Sequence, residues 1–204
     1  DRLWEQWCPV LYGTVLRFRD RFMMWYCTWT RKSRPRCCYA ESEDGVAWHK
    51  PELGICDFES SKKNNIVIES ELGDGGLIDD VSVIEDPEDA EFPLKMLLWD
   101  GGVSQGRRIT GIHAARSRDG IHWERLGEVL PGWGDRFNAV CHRVDGKVVV
   151  LGRAPNPFAN GQPIRERVVF RTESADLRHW SEPELVFCRD IEDPPQMETY
   201  SLAA

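Results

Sequence analysis

Acidic side chains are the most abundant groups in this sequence that could do chemistry. The 204 residues contain 34 Asp and Glu against 26 Lys and Arg, for a net charge of −8. Two acidic segments, 85–91 and 190–195, contain prolines that favour turns, and we interpret both as solvated loops. They could offer oxygen ligands to calcium, but neither has the spacing of an EF-hand loop. The acidic balance argues against a nucleic-acid partner, which requires a basic face.

Cysteine, histidine and glycine patterns contain no motif for a metal or a cofactor. The seven cysteines form no Cys-x-x-Cys pair, and the five histidines have no metal-binding spacing. The glycine-rich turns at 73–76 and 100–102 precede no predicted helix, so they do not support a phosphate loop. We therefore expect no metal and no cofactor. Scattered cysteines are typical of small buried residues in a reducing compartment, although one or two disulfides in a secreted protein are the alternative, and the compartment is left open.

A repeated turn motif predicts the architecture. Three times a serine is followed at two residues by aspartate and at six by tryptophan, starting at Ser42, Ser117 and Ser174. The Asp-Gly pair of the first two copies favours a tight turn, whereas Leu177 replaces the glycine in the third, and we expect that turn to differ. We expect each tryptophan to cover its turn and to open the next strand. An internal repeat indicates copies of one structural unit that stack on each other.

Strand-like runs surround each copy of the motif in the same order, three before the turn and one after the tryptophan. Four strands per unit are typical of a propeller blade. We predict an all-β fold, a β-propeller of four-stranded antiparallel blades, with about three blades in this chain. They cover about 8–70, 77–131 and 135–188, and a fourth begins at about 196–204. Because propellers close with about 4–8 blades, we expect a longer protein; one closed domain is the alternative. No apolar stretch is long enough to predict a membrane-spanning segment.

The sequence around these turns resembles bacterial five-bladed propeller proteins related to glycoside hydrolase families 32 and 43. The resemblance lies in residues 39–54 and 63–67, and again in 115–123 and 179–183. It extends through most of the chain and is more specific for the propeller than for the activity. It implies five blades in the full protein and a carbohydrate substrate or ligand. Sialidases have a related motif with another residue between Asp and Gly, and are less favoured.

The resemblance also implies a glycan site on the propeller axis. Those families place a nucleophile or base in the first blade, a transition-state-stabilising Asp in the second and a Glu acid in the third. Cleavage of a glycoside needs at least two carboxyl groups. Residues 80–84 resemble the second-blade strand, with Val81 in place of the family's proline, so Asp80 is the leading candidate. Its neighbour Asp79 would point to the opposite face of a regular strand.

The other two blades depart from the family pattern. The third blade has Val140 and Cys141 where the family has its Glu, and the first blade lacks Asn-Asp-Pro. The resemblance therefore leaves as catalytic candidates Asp80, Asp135 and Glu198, and as substrate-binding candidates Glu5, Tyr12, Asp79, Trp133 and Tyr200. Each carboxylate could instead be a loop or surface residue, and most tryptophans could instead be core residues.

These observations favour a glycoside hydrolase-like protein that acts on a polysaccharide or oligosaccharide. One alternative is a catalytically inactive glycan-binding propeller, which the missing third-blade Glu favours. Another is a protein-interaction scaffold, because a propeller fold does not determine a function.

Overall fold

Three four-stranded antiparallel sheets and one two-stranded hairpin make up the part of the protein that the structure describes. The computed structural model describes residues 2–6, 8–29, 35–73, 76–104, 106–141, 145–155, 158–159, 162–163 and 167–194. The three sheets confirm the predicted all-β propeller architecture with three blades. The predicted start of a fourth blade, at 196–204, lies outside the described residues.

Each blade runs in sequence from its innermost strand outward. The first contains β1 (Cys8–Phe18), β2 (Arg21–Trp29), β3 (Arg36–Ser42) and β4 (Ile66–Ile68). The second contains β5 (Gly76–Glu85), β6 (Leu94–Ser104), β7 (Arg107–Ser117) and β8 (Trp123–Pro131). The third contains β9 (Asn138–Cys141), β10 (Val148–Gly152), β13 (Val169–Ser174) and β14 (Glu184–Phe187), with a short hairpin of β11 (Phe158–Ala159) and β12 (Gln162–Pro163) inserted after β10. A 3₁₀ helix, Leu3–Glu5, precedes β1. Among the described residues, no helix is long and apolar enough to cross a membrane.

The repeated motif folds into a similar hydrogen-bonded turn in each blade, and in all three the aspartate accepts from two backbone N–H groups. In the second blade the Ser117 hydroxyl accepts a hydrogen bond from the N–H of Gly120 at 2.8 Å. The Asp119 carboxylate accepts from the N–H groups of Ile121 and His122 at 2.9 and 2.8 Å. Trp123 covers the turn, and its indole N–H donates to the Gly120 carbonyl at 3.0 Å. The side chains thus satisfy backbone groups that the turn would leave unpaired.

The third turn keeps the backbone conformation of the other two but differs in part of its hydrogen bonding, because the buried indole N–H of Trp180 makes no hydrogen bond, whereas that of Trp123 does. Leu177 has a φ of 60°, close to the 75° and 78° of Gly45 and Gly120. The Asp176 carboxylate accepts from the N–H groups of Arg178 and His179 at 2.8 Å, as its counterparts do. A left-handed conformation is unfavourable for leucine, but the Leu177 side chain is buried in the core between the second and third blades. That burial offsets the backbone strain.

The expectation that each tryptophan opens the next strand holds only in the second blade, where Trp123 begins β8. In the first blade, β4 begins only at Ile66, and a long loop after Trp48 separates the two. Cys56 and Phe58 from this loop pack with Trp4 over the outer face of the first sheet. Because the loop buries apolar surface of its own, it can be long, and β4 begins many residues after Trp48.

Apolar cores between the blades fix their relative positions. Trp25 and Tyr39 of the first blade pack against Met96 and Leu98 of the second. The indole N–H of Trp25 also donates to the carbonyl of Gly120, at 2.7 Å, so the turn of the second blade is tied to the core of the first. A second core joins the second and third blades around residues such as Trp99 and Phe170.

Small polar side chains connect the innermost strands. The Thr14 hydroxyl on β1 accepts from the N–H of Val83 on β5 at 2.9 Å. The Ser82 hydroxyl on β5 accepts from the N–H of Ala139 on β9 at 3.0 Å and donates to the carbonyl of Ala139 at 3.1 Å. These contacts place β1, β5 and β9 side by side around the axis.

Candidate functional site

Three residues occupy equivalent positions on the innermost strands of the first two blades and just before that of the third. The repeated serines establish the equivalence, because each pairs with one residue of the strand next to it. The residue three positions further along this second strand pairs in turn with the innermost strand. Its partners in the three blades are Thr14, Ser82 and Asn138. Two positions before these partners lie Tyr12, Asp80 and Arg136, which we call the axial residues.

The axial residues contact each other through Arg136. Its guanidinium carbon lies 3.8 Å from the centroid of the Tyr12 ring, a cation–π contact. Its Nη1 lies 3.7 Å from Asp80 Oδ2 and 3.4 Å from Asp79 Oδ1. The three blades thus join an aromatic ring, a cation and two carboxylates at one place.

A β-bulge turns both aspartates toward Arg136. Ile78 pairs with Asp100 and Val81 with Leu98, so Asp79 and Asp80 together oppose one residue of β6. Asp80 has a φ of 72°, which a regular strand does not allow. The expectation that Asp79 points away from Asp80 is therefore wrong, because it assumed a regular strand. Bulges are enriched next to functional sites, where they redirect side chains.

The first blade has its own irregularity at the equivalent place. Val10 pairs with Cys27 and Thr14 with Trp25, so three residues of β1 oppose only one of β2. Gly13 lies in this bulge, and a Cβ there would be 1.9 Å from the carbonyl oxygen of Trp25. Only glycine permits this close approach. It leaves Tyr12 directed toward the axis.

Burial perturbs the two carboxyl groups of the cluster. Asp79 and Asp80 are 4% and 7% exposed. Burial raises the pKa of Asp80 to about 6, although the charge of Arg136 opposes the rise. Burial also raises the pKa of Asp79, again against Arg136. Asp79 Oδ1 and the Nε and Nη1 atoms of Arg136 are buried and make no hydrogen bond. Buried polar atoms of this kind are rare and mark places where a ligand can supply the missing partners.

Asp135 and Trp133 take other roles in the structure. The Asp135 carboxylate forms an ion pair with Arg153, and its carbonyl accepts from Arg153 Nε at 3.2 Å. Trp133 is buried in the core between the second and third blades, and its carbonyl accepts the indole N–H of Trp99 at 2.9 Å. Trp133 thus offers no indole face to a ligand, and the charge of Asp135 is paired with Arg153.

Glu5 lies on the other side of the first blade. Its carboxylate forms an ion pair with Lys50 at 2.7 Å and accepts from the Tyr26 hydroxyl at 2.5 Å. Tyr26 packs on the outer face of the first sheet, whereas Cys27, the next residue, packs on the face toward the second blade. Glu5 is therefore not brought to the axial residues. Glu198 and Tyr200 lie outside the described residues.

Arg136 is the residue that sequence reasoning missed. The sequence favours its neighbour Asp135 as a candidate instead, because carboxylates perform the expected chemistry. Counting two residues back from Asn138, as from Ser82 to Asp80, would have found it, but that count depends on strand register.

A cleft of about 1000 Å³ extends along the innermost strands from the neighbours of the axial residues. Gly13, Ser82 and Asn138 line one end, and Glu85, Glu88 and Asp145 line the other. In the described part of the chain, no three His, Cys, Asp or Glu side chains are grouped to hold a metal ion. The carboxylates that line the cleft can accept hydrogen bonds from a polar ligand, and the axial residues lie beside it rather than in its lining.

No protein-family model matches the sequence, and no curated protein does. Solved structures do resemble it, and three of them show the likeness. An exo-β-1,3-galactanase from Clostridium thermocellum has a TM-score of 0.57 at 12% identity, over 85% of this chain and 36% of that one. A structure from the GH130 family of mannoside phosphorylases, which contains hydrolases of β-1,2 mannosidic linkages, has a TM-score of 0.54 at 16% identity, over 86% and 48%. A sucrose-6-phosphate hydrolase from Lactobacillus gasseri has a TM-score of 0.53 at 16% identity, over 85% and 32%.

These identities establish a shared fold. The chain spans at most about half the length of these structures. The described residues thus form three blades of the propeller fold that these glycoside hydrolases and phosphorylases have.

Proposed function

We propose that the axial residues and Asp79 form a sugar-binding site, and that the full-length protein is a glycoside hydrolase-like enzyme acting on an oligosaccharide or polysaccharide. The observation that carries the proposal is the buried carboxyl of Asp80, held on the innermost strand of the second blade beside Arg136. Its position next to an open cleft, in a fold shared with carbohydrate-active enzymes, supports this assignment.

The chemistry of the cluster suits a sugar. Carboxylate oxygens accept hydrogen bonds from sugar hydroxyls, and a guanidinium donates to them. The buried atoms of Asp79 and Arg136 that make no hydrogen bond would gain partners from a ligand. Tyr12 is 38% exposed and adds an aromatic surface beside these groups.

In a hydrolytic reaction, Asp80 would hold the sugar and stabilise the positive charge that develops at the anomeric carbon. This role requires an ionised Asp80. A carboxyl with a pKa of about 6 is mostly ionised at neutral pH and becomes protonated below it. Activity should therefore fall as the pH drops through about 6.

Hydrolysis also needs a carboxyl group on the other side of the glycosidic bond. Asp79 and Asp80 face the same guanidinium and cannot flank a sugar from two sides. Asp135 has its own partner, Arg153. Glu198, beyond the described residues, stays a prediction for this role.

One observation favours a second function, glycan binding without cleavage. The positions equivalent to Asp80 in the other two blades carry Tyr12 and Arg136, which can bind a sugar but cannot act as its acid or nucleophile in the manner of a carboxylate.

A substrate screen of the full-length protein separates the two functions. Arabinosides, xylosides, fructosides, galactosides and mannosides are tested for released sugar and, by calorimetry, for binding, alongside Asp80→Asn and the surface control Glu124→Gln. We expect Asp80→Asn to lose about 10²-fold or more of the sugar release, and Glu124→Gln to keep it. Binding without release, lost in Asp80→Asn, would establish the second function. If the folded protein neither binds nor cleaves any of these sugars, the proposal is wrong.

A further inference from the structure

A buried carboxylate outside the axial cluster holds the chain where it passes from the first blade to the second. Asp100 on β6 is 1% exposed, and it lies two residues after Leu98, on the face toward the first blade. Its Oδ1 accepts from the Ser70 hydroxyl, and its Oδ2 accepts from the backbone N–H of Glu71 at 3.0 Å. Arg125 on β8 balances the charge, with Nη1 3.1 Å from Oδ2. A buried charge needs such partners, so these contacts are costly to break.

The groups that Asp100 holds belong to a turn that we call the connector, residues 69–73, which lies between β4 of the first blade and β5 of the second. The Ser70 hydroxyl accepts from the N–H of Leu72 at 3.1 Å while it donates to Asp100. The Ser70 carbonyl accepts from the N–H of Gly73 at 3.2 Å. One serine thus shapes the turn and attaches it to the second blade.

The connector also fixes where β5 begins. A Cβ on Gly76, the first residue of β5, would lie 1.8 Å from Ser70 Oγ and 2.9 Å from Leu72 Cβ. Only glycine allows so close an approach. The first residue of β5 therefore packs directly on the serine that Asp100 holds.

Ile78, the last residue before the bulge of β5, is held from both blades. It pairs with Asp100 itself on β6, and its N–H donates to the carbonyl of Pro35 in the first blade at 3.1 Å. Beyond it, Asp79 and Asp80 together oppose one residue of β6, so the ladder does not fix them individually. Their position depends on the residues that flank the bulge.

We propose that Asp100 is a positioning residue of the sugar site: through Ser70 and the start of β5, it holds the bulge so that Asp79 and Asp80 face Arg136. The positioning is a property of the protein alone. Its importance for sugar binding rests on the proposed function.

The positioning can be measured without any sugar. In the full-length protein, ¹³C NMR follows the titration of the Asp80 carboxyl, assigned with Asp80→Asn. In Asp100→Asn, whose single amide oxygen cannot replace both carboxylate oxygens, we expect the Asp80 midpoint to fall by about one pH unit, from about 6 toward the ordinary value near 4. The reason is that a loosened bulge admits water to the carboxyl, and burial is what raises its pKa.

Two further variants separate positioning from other causes. Ser70→Ala breaks the same contact without changing any charge, and we expect a smaller fall in the Asp80 midpoint. Glu5→Gln is the matched control, because Glu5 is also a buried carboxylate with a cationic partner, Lys50, but lies on the other side of the first blade. It should leave the Asp80 midpoint unchanged.

An Asp80 midpoint that stays or rises in Asp100→Asn would overturn the proposal. A fall in Asp100→Asn without one in Ser70→Ala would also overturn it, because the lost charge would then explain the result, as would an equal fall in Glu5→Gln, which would indicate general loosening. If Asp100→Asn does not fold, Ser70→Ala decides alone against Glu5→Gln. The expected falls in a protein that binds no sugar would reject the proposed function and leave the positioning intact.

Discussion

The three turns and the three axial residues belong to the same repeat, but the turn residues are alike in all three blades and the axial residues are not. The aspartate of each turn accepts the same two backbone hydrogen bonds in every blade. The axial position instead carries a tyrosine, an aspartate and an arginine. Residues that recur in every blade therefore build the blade, whereas residues that differ between blades can supply chemistry. The two regions should therefore respond differently to mutation and to pH.

The largest expected effect on stability comes from Arg136→Gln at neutral pH. The change leaves two buried carboxylates without their cation, which costs about 3 kcal/mol or more in the free energy of unfolding. The cost should shrink as the pH falls toward 4, because Asp79 and Asp80 then take up protons and lose their charge. Urea unfolding at pH 7 and pH 4 measures this. A cost that is equal at both pH values would contradict the role of buried charge at the axis.

Gly120→Ala should have the next largest effect, and Gly45→Ala provides its control. Both glycines have φ near 75° and belong to equivalent turns. A Cβ on Gly120 would lie 2.7 Å from the Trp25 ring, whereas one on Gly45 would meet only Phe22, at 3.6 Å. We expect about 1 kcal/mol of destabilisation for Gly45→Ala and about 2–3 for Gly120→Ala, where overpacking adds to backbone strain. Thermal and urea unfolding test this order. Equal costs would mean that the turn of the second blade does not anchor the first.

Asp119→Ala should cost about 1–2 kcal/mol at neutral pH, like the loss of a capping aspartate. Asp119 is partly buried, which raises its pKa, but hydrogen bonds from His122 and two backbone N–H groups lower it more, to about 2. Since the folded pKa lies below the unfolded value near 4, the stabilisation is complete above about 4 and is lost as the pH falls through about 2. Unfolding curves of wild type and variant should therefore converge near pH 2. Parallel curves would show that the carboxylate does not support the turn.

Asp80→Asn should have the smallest effect on folding, with the opposite sign. The pKa of Asp80 is raised to about 6, so its contribution to stability is complete below about 4 and is lost as the pH rises through about 6. Replacing it with a neutral amide removes that loss, and we expect the variant to be as stable as the wild type, or more stable by about 1 kcal/mol, at pH 7. Denaturant unfolding at pH 4 and pH 7 measures the difference. A large destabilisation at pH 7 would make Asp80 a structural residue.

The sequence predicted the blades well because their determinants are local. A serine and an aspartate two residues apart fold their own turn, and the strands beside them follow from residue type. The features that were missed depend on distant contacts. Leu177 adopts the conformation of a glycine because its side chain is buried between two blades. β4 begins far from Trp48 in the sequence because the loop between them packs on the first sheet.

The candidate site was harder to predict for the same reason. Asp80 was found through the resemblance of its strand to a family pattern. The orientation of Asp79 and the participation of Arg136 depend on bulges that place extra residues in β1 and β5. A bulge shifts which face a side chain occupies, and no periodicity in the sequence reveals it. The predictions for Glu198 and Tyr200 concern residues outside the described part of the chain and stay predictions.

The most direct test is to measure unfolding free energy and sugar binding or release in the same two variants of the full-length protein, Asp80→Asn and Asp119→Ala. We expect Asp80→Asn to lose its interaction with sugar and keep its stability. We expect Asp119→Ala to lose stability and, at a temperature where it is folded, keep that interaction. If both variants lose sugar binding only in proportion to their loss of stability, the separation between a structural turn and a functional axis is contradicted.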